Sequence, residues 1–160
     1  MLKEIRRNTW ARFLKKFSAE NRYRFITVAV SHRGKARTTV SENIPLLGAG
    51  LSKEGRLISG IDLFAGHWAP EQMSMPAVSM KQPSRLLVDG EPNHDQMLVV
   101  EGEDGSRLEI RLDANRAEPR SLVEKLAYTL AERKGFTPHC ELDNWLEAER
   151  AVQQVESLFV

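Results

Sequence analysis

The chain has 160 residues, 41% of them hydrophobic and 28% charged, with a formal net charge of +1. That length suits one domain, or one domain with a small appendage, and that composition excludes disordered and fibrous classes. No apolar run reaches the roughly 18 residues of a membrane-spanning helix, the basic start MLKEIRRNTWARFLKKF lacks the apolar stretch and cleavage site of a secretory signal, and the single Cys140 has no mate for an internal disulfide, so a cytoplasmic location is expected.

In chain order, Ile5, Trp10, Phe13, Leu14 and Phe17 recur at helical spacing, which predicts an amphipathic helix with its cations on the other side. Thr9 suits its N-cap, and Ser18 to Asn21 its end. Residues 22–113 then read as strands. Tyr23 to Ser31 is rich in aromatic and β-branched residues, His32 to Lys35 is a turn, and Ala36 to Ser41 returns. Leu46 to Leu51 predicts another strand, and Leu57, Ile61 and Leu63 predict one shared face of the next. Pro70, Pro76 and Pro83 forbid a long central strand between Gly66 and Pro83. The clearest hairpin places Met97 to Glu101 and Arg107 to Leu112 about an Asp104-Gly105 turn. Leu108, Ile110 and Leu112 alternate there with charged residues, so one face is buried.

Beyond Asp113 the period changes from two to 3.6. Leu122, Val123, Leu126, Ala127, Leu130 and Ala131 form a helical stripe, Ser121 and Glu124 have capping-box spacing, and Gly135 suits the left-handed residue after a helix. A second helix is expected from about Asp143, with Trp145, Leu146, Ala148, Val152, Val155 and Phe159 as its apolar set. The expected class is α+β: an N-terminal helix on a curved, mostly antiparallel sheet, in the manner of a partly closed barrel, followed by a C-terminal helical hairpin. The expected domains are a sheet domain over 1–113, a linker over 114–120 and the hairpin over 121–160.

Two segments carry family likenesses. Ala127-Tyr128, Gly135 and Trp145-Leu146-Glu147-Ala148-Glu149 make the stretch from Leu122 to Val152 resemble the bacterial domain-of-unknown-function family 2934, a short helical hairpin. The loop departs from that pattern, with Pro138-His139-Cys140 where the family often has a second Gly. Trp10-x-x-Phe13-Leu14, Ile44-Pro45-Leu46-x-Gly48 and the Asp104-Gly105 turn make the first segment look like domain-of-unknown-function family 5335. Neither resemblance implies a known activity or ligand, so both sharpen the domain map and leave function open.

The residues themselves carry no catalytic constellation. His139-Cys140-Glu141 are adjacent and so point apart in regular structure, and no pair of Cys or His has metal-ligand spacing. Gly48-Ala-Gly50 reads as a bend in the sheet, not a phosphate loop. No catalytic, cofactor or metal residue is therefore assigned, and a non-enzymatic role is expected ahead of an enzymatic one, which stays open.

Three groups merit attention. Residues 1–40 carry 11 Lys/Arg against 2 Asp/Glu, while the remainder carries 12 against 20. Arg6, Arg7, Arg12, Lys15 and Lys16 are the candidate anion-binding set, for nucleic acid or an anionic surface into which Trp10 and Phe13 insert. His67, Trp68, Met73 and Met75 are candidates for a partner-binding groove, with a small-molecule or enzyme site near His67 and Trp68 as the alternative, since Met adapts to irregular surfaces. Tyr128, Gly135, Trp145, Ala148 and Glu149 are the hairpin signature, read as structural. The acidic lead-in and second helix argue against DNA recognition by the hairpin, because phosphates would repel it. The favoured reading is a non-enzymatic interaction or regulatory module with a protein partner, self or other.

Overall fold

The computed structural model describes residues 1–66, 75–91 and 94–159. Among them are eight strands: β1 (Lys3–Ile5), β2 (Arg24–Ser31), β3 (Thr38–Glu54), β4 (Leu57–Ala65), β5 (Val78–Lys81), β6 (Pro83–Asp89), β7 (Gln96–Gly102) and β8 (Arg107–Arg116). Three α-helices accompany them: α1 (Trp10–Asn21), α2 (Pro119–Arg133) and α3 (Glu141–Ser157). The class is α+β, with the N-terminal helix, the antiparallel sheet and the C-terminal helix pair in the expected order.

The sheet runs β1-β6-β7-β8-β2-β3-β4-β5, and all its pairs are antiparallel. Its far strand, β5, is separated from β6 by the single residue Gln82, which takes a left-handed φ of 50°. The Gln82 N–H donates to the Ser59 carbonyl at 2.9 Å, and its carbonyl accepts from the Glu103 N–H at 3.0 Å. The two ends of the sheet therefore meet at this corner, and the sheet rolls into a partly closed barrel. Pro83 stands at the first position of β6, where its missing N–H breaks no ladder.

Three strand readings are corrected by register. Ile5 lies not on α1 but in β1, opposite Leu86. The expected pieces 36–41 and 46–51 are parts of one 17-residue strand, β3. That strand bends at Asn43, which has a φ of 54°, near register shifts between Ile26 and Val28. An extra residue at such a bulge turns a strand without ending it. In β4 the pairing jumps from Ser52–Gly60 to Lys53–Ile58. That extra residue inverts the inside-outside alternation, so Ile58 packs on the core and Leu57 stands 76% exposed.

Inside the roll, Trp10, Leu14 and Phe17 of α1 meet Ile26, Leu98 and Leu108 from the strands. The Trp10 indole N–H donates to the Ile5 carbonyl at 2.9 Å. Thr9 occupies the N-cap position of α1, but its hydroxyl donates back to the Arg6 carbonyl at 2.8 Å instead of accepting from the helix. Helix α1 ends at Asn21, within the expected stretch. Ser18 is buried, and its hydroxyl accepts from the Ala49 N–H at 2.9 Å, tying the helix to β3.

The helix pair forms a second buried cluster. Leu122, Leu126 and Leu130 of α2 face Ala148, Val152 and Val155 of α3. Tyr23, Leu47, Phe64 and Phe159 join this cluster to the sheet. β8 continues to Arg116 and α2 starts at Pro119, so only two residues separate strand from helix. Proline suits the first helical position because its absent N–H would have no partner there. Ser121 consequently lies within the first turn, and the expected capping box does not form. Helix α3 starts at Glu141, two residues before the expected Asp143, and Gly135 takes a φ of 66° after α2, as its position predicts.

Tyr23 sits at the seam, 9% exposed, with its hydroxyl buried and unpaired. An orphaned hydroxyl costs desolvation with no return. Tyr23→Phe is expected to raise stability by up to about 1 kcal/mol, read from the urea midpoint at unchanged slope. A loss of stability would show that the hydroxyl has a partner.

Candidate functional site

The roll and the helix pair create two candidate surfaces. The first is a basic trough beside α1. Burial of Trp10, Leu14 and Phe17 turns Ala11, Arg12, Lys15, Lys16 and Ala19 outward. The two alanines leave space along that flank. A cavity of about 290 Å³ opens between Ala11, Lys15 and the β3 residues Leu51 and Lys53, over Phe159. A neighbouring one of about 460 Å³ is lined by Arg12, Lys15, Lys16, Ala19, Arg22 and Phe159. The floor is therefore aromatic and aliphatic, and the rim is cationic.

Among the described residues, Arg12, Lys15 and Lys53 join no ion pair, and Lys16 reaches Glu20 only at 3.8 Å. The five expected anion-binding residues do not stay together. Arg7 donates to the Pro83 carbonyl at 2.9 Å and lies 4.7 Å over the Trp10 ring. Arg6 precedes the helix at the N-cap of a single 3-10 turn. Arg12, Lys15 and Lys16 share the trough, where Arg22 and Lys53 join them. Sequence spacing missed these last two, because α1 meets β3 only in the folded chain. The expected insertion of Trp10 into an anionic surface is overturned: Trp10 is 1% exposed and belongs to the core.

The second surface is the free end of the helix pair. The start of α2 and the end of α3 touch the sheet, through Leu122 and Phe159. The opposite end, over 131–143, is largely exposed. Tyr128 (61%), Phe136 (56%), Leu142 (69%) and Leu146 (40%) are exposed there or on the adjoining outer faces. Tyr128 and Phe136 meet edge to face at 5.6 Å. Of the hairpin signature, Ala148 is fully buried at the helix contact, and Trp145 and Glu149 are half-buried. The Arg120 guanidinium lies 5.9 Å from the Trp145 ring, a cation–π distance. The Lys134 ammonium closes the turn by donating to Asn144 Oδ1 at 2.7 Å. Leu142 carried no periodic signal of its own, since it lies opposite the buried stripe.

Other candidates resolve differently. His67, Trp68 and Met73 lie outside the described residues, and Met75 is exposed ahead of β5. Among the described residues, no group of three or more His, Cys, Asp or Glu could hold a metal ion. At the β7–β8 turn, Asp104, Ser106 and His32 come together. The Ser106 N–H donates to Asp104 at 2.9 Å, and His32 Nδ1 lies 3.1 Å from the Ser106 hydroxyl. Bonds from the Ser106 backbone and side chain hold the Asp104 carboxyl below its ordinary range. Carboxylate and imidazole both contact the serine, so the carboxylate–imidazole–hydroxyl order of a nucleophilic relay is not formed. These bonds fasten two turns together. A cleft of about 520 Å³ opens beside Phe25, Thr27, Asn43, Gln96 and Arg111.

Residues 121–154, about a fifth of the chain, match the model of one family, described as a protein of unknown function, DUF2934. The matched segment is the helix pair, with its Tyr128, Gly135, Trp145 and Ala148. No curated protein matches the chain, and no solved structure does. Among the described residues, no helix is long and apolar enough to cross a membrane.

Proposed function

We propose that this chain is a non-enzymatic interaction module of the bacterial cytoplasm, and that the helix pair is its presenting element. What supports this reading is the exposed apolar surface of the pair, with Phe136 and Leu142 at its distal end and Tyr128 and Leu146 on the adjoining outer faces. Exposed apolar side chains gathered on one element mark interaction sites. The base of the pair is anchored and its far end projects, so a partner docks without disturbing the sheet. Within the same reading, residues 1–113 form the scaffold domain and belong with domain-of-unknown-function family 5335.

The test compares the whole chain with a Leu142→Asp/Leu146→Asp variant. Both leucines face outward, so the unfolding midpoint is expected to stay within about 0.5 kcal/mol of the parent. Proteins retained by the parent in affinity capture are expected to be lost by the variant. A variant that keeps the same proteins at parental levels overturns the reading.

A second reading is favoured by the rim of Arg12, Lys15, Lys16, Arg22 and Lys53, which suits nucleic acid or another polyanion. Binding by counterion release weakens steeply with salt. Retention on heparin at low salt, lost at physiological salt and absent in Lys15→Glu/Lys16→Glu, supports it. No retention at low salt removes it.

A further inference from the structure

The trough beside α1 and the outer face of α3 are complementary in both charge and polarity. On α3, Leu142 and Leu146 are four residues apart and so stand one above the other on the outer face. Asp143 and Glu147 follow one flank of this stripe, where the exposed Arg150 also stands, and the half-buried Glu149 follows the other, so the face carries more carboxylates than cations. Glu147 has Lys134 at 3.6 Å. The others join no ion pair among the described residues. The trough has the inverse pattern: an apolar floor of Leu51, Phe159, Ala11 and Ala19 within a rim of cations. A helix with a leucine stripe flanked by carboxylates fits such a groove.

We infer that the trough receives the α3 leucine stripe of a second copy of this chain, in a symmetric dimer with the two α3 helices antiparallel. This inference rests on the reading of the helix pair as the presenting element, and it names the partner. Geometry supports a closed pair. Phe159, in the trough floor, lies 13 to 17 residues beyond Leu146 and Leu142, roughly 20–25 Å along a helix. Running α3 antiparallel to its equivalent brings the distal leucines of each copy to the base of the other, where the trough is. The contact then occurs twice about one two-fold axis, which is the condition for a closed isologous dimer. The basic rim then faces the stripe's carboxylates, and the four leucines of the dimer leave water.

Sedimentation or light scattering on the whole chain across a salt series tests this. The expected result is a dimer at low salt whose dissociation constant weakens roughly tenfold or more toward physiological salt, as screening of exposed charge requires. Lys15→Glu/Lys16→Glu and Asp143→Lys/Glu147→Lys are each expected to be monomeric, with parental circular dichroism and unfolding midpoints. Mixed together, they are expected to form a heterodimer, because one trough–stripe contact is reversed in both partners and the other is native in both. A parent that is monomeric at low salt overturns the inference, as does a dimer unaffected by either variant, or a mixture that stays monomeric. A monomeric parent whose captured proteins depend on Leu142 and Leu146 overturns the dimer and leaves the function of the helix pair standing. A monomeric parent that loses heparin retention in Lys15→Glu/Lys16→Glu assigns the trough to a polyanion instead.

Discussion

Gly48→Ala is expected to destabilise the chain by about 1–3 kcal/mol and to loosen the end of α3 from the sheet. A Cβ at Gly48 would lie 2.6–2.7 Å from three atoms of the Phe159 ring, well inside van der Waals contact. The ring has little room to yield, because Phe64 meets it edge to face at 5.4 Å. Phe159→Ala is expected to cost about 3 kcal/mol, the lower end of what removing a buried phenyl ring does. The decisive measurement is the double variant. If the alanine acts by displacing the ring, Gly48→Ala loses most of its cost once Phe159 is gone, a coupling of about 1 kcal/mol or more. Additive costs in urea unfolding would sink that explanation. Because the same ring floors the trough, Gly48→Ala is also expected to weaken whatever binds there.

The second large effect is expected at Arg24, whose side chain is fully buried. Its guanidinium donates to the Asp113 carbonyl at 2.6 Å, to Asn21 Oδ1 at 2.9 Å and to the Leu112 carbonyl at 3.3 Å, and also to the His94 carbonyl. Burial, then the nearby Arg116 charge, draws its pKa below the ordinary arginine value, while Asp95 and Asp113 oppose that shift. Arginine nevertheless keeps its charge at any physiological pH, so a cation holds the end of α1, β8 and the residues before β7 together. Arg24→Met keeps the aliphatic stem but strands these acceptors in a dry site. A loss of about 3–5 kcal/mol is expected. Arg24→Lys is expected to recover only a small part, since one ammonium cannot reproduce the planar fork. A loss under about 1 kcal/mol for Arg24→Met would show that water replaces the guanidinium without penalty.

The pleated and coiled rhythms were legible without coordinates. Leu108, Ile110 and Leu112 alternate in the chain and are all buried. Leu122, Leu126 and Leu130 recur with the helix and are buried too. Such periods follow from backbone geometry alone, which is why helix, sheet and helix pair were predictable in order. Registers and bulges were not, because a single extra residue reverses every later side chain and leaves no local mark. Leu57 is the case in point.

The trough separates the two kinds of information most clearly. Arg12, Lys15 and Lys16 fall on one helical face by spacing, and their basic character is readable directly. Arg22, Lys53 and Phe159 join them only because the rolled sheet lays β3 along α1 and α3 ends on Gly48. Arg24 belongs by composition to the basic first 40 residues, yet its side chain is interior. Local pattern determines which side of an element is apolar, since that depends on residues a few positions apart. Which cations end in solvent and which in the core depends on partners 70 to 89 positions away in this chain, and chain closure over that distance is set by the whole fold.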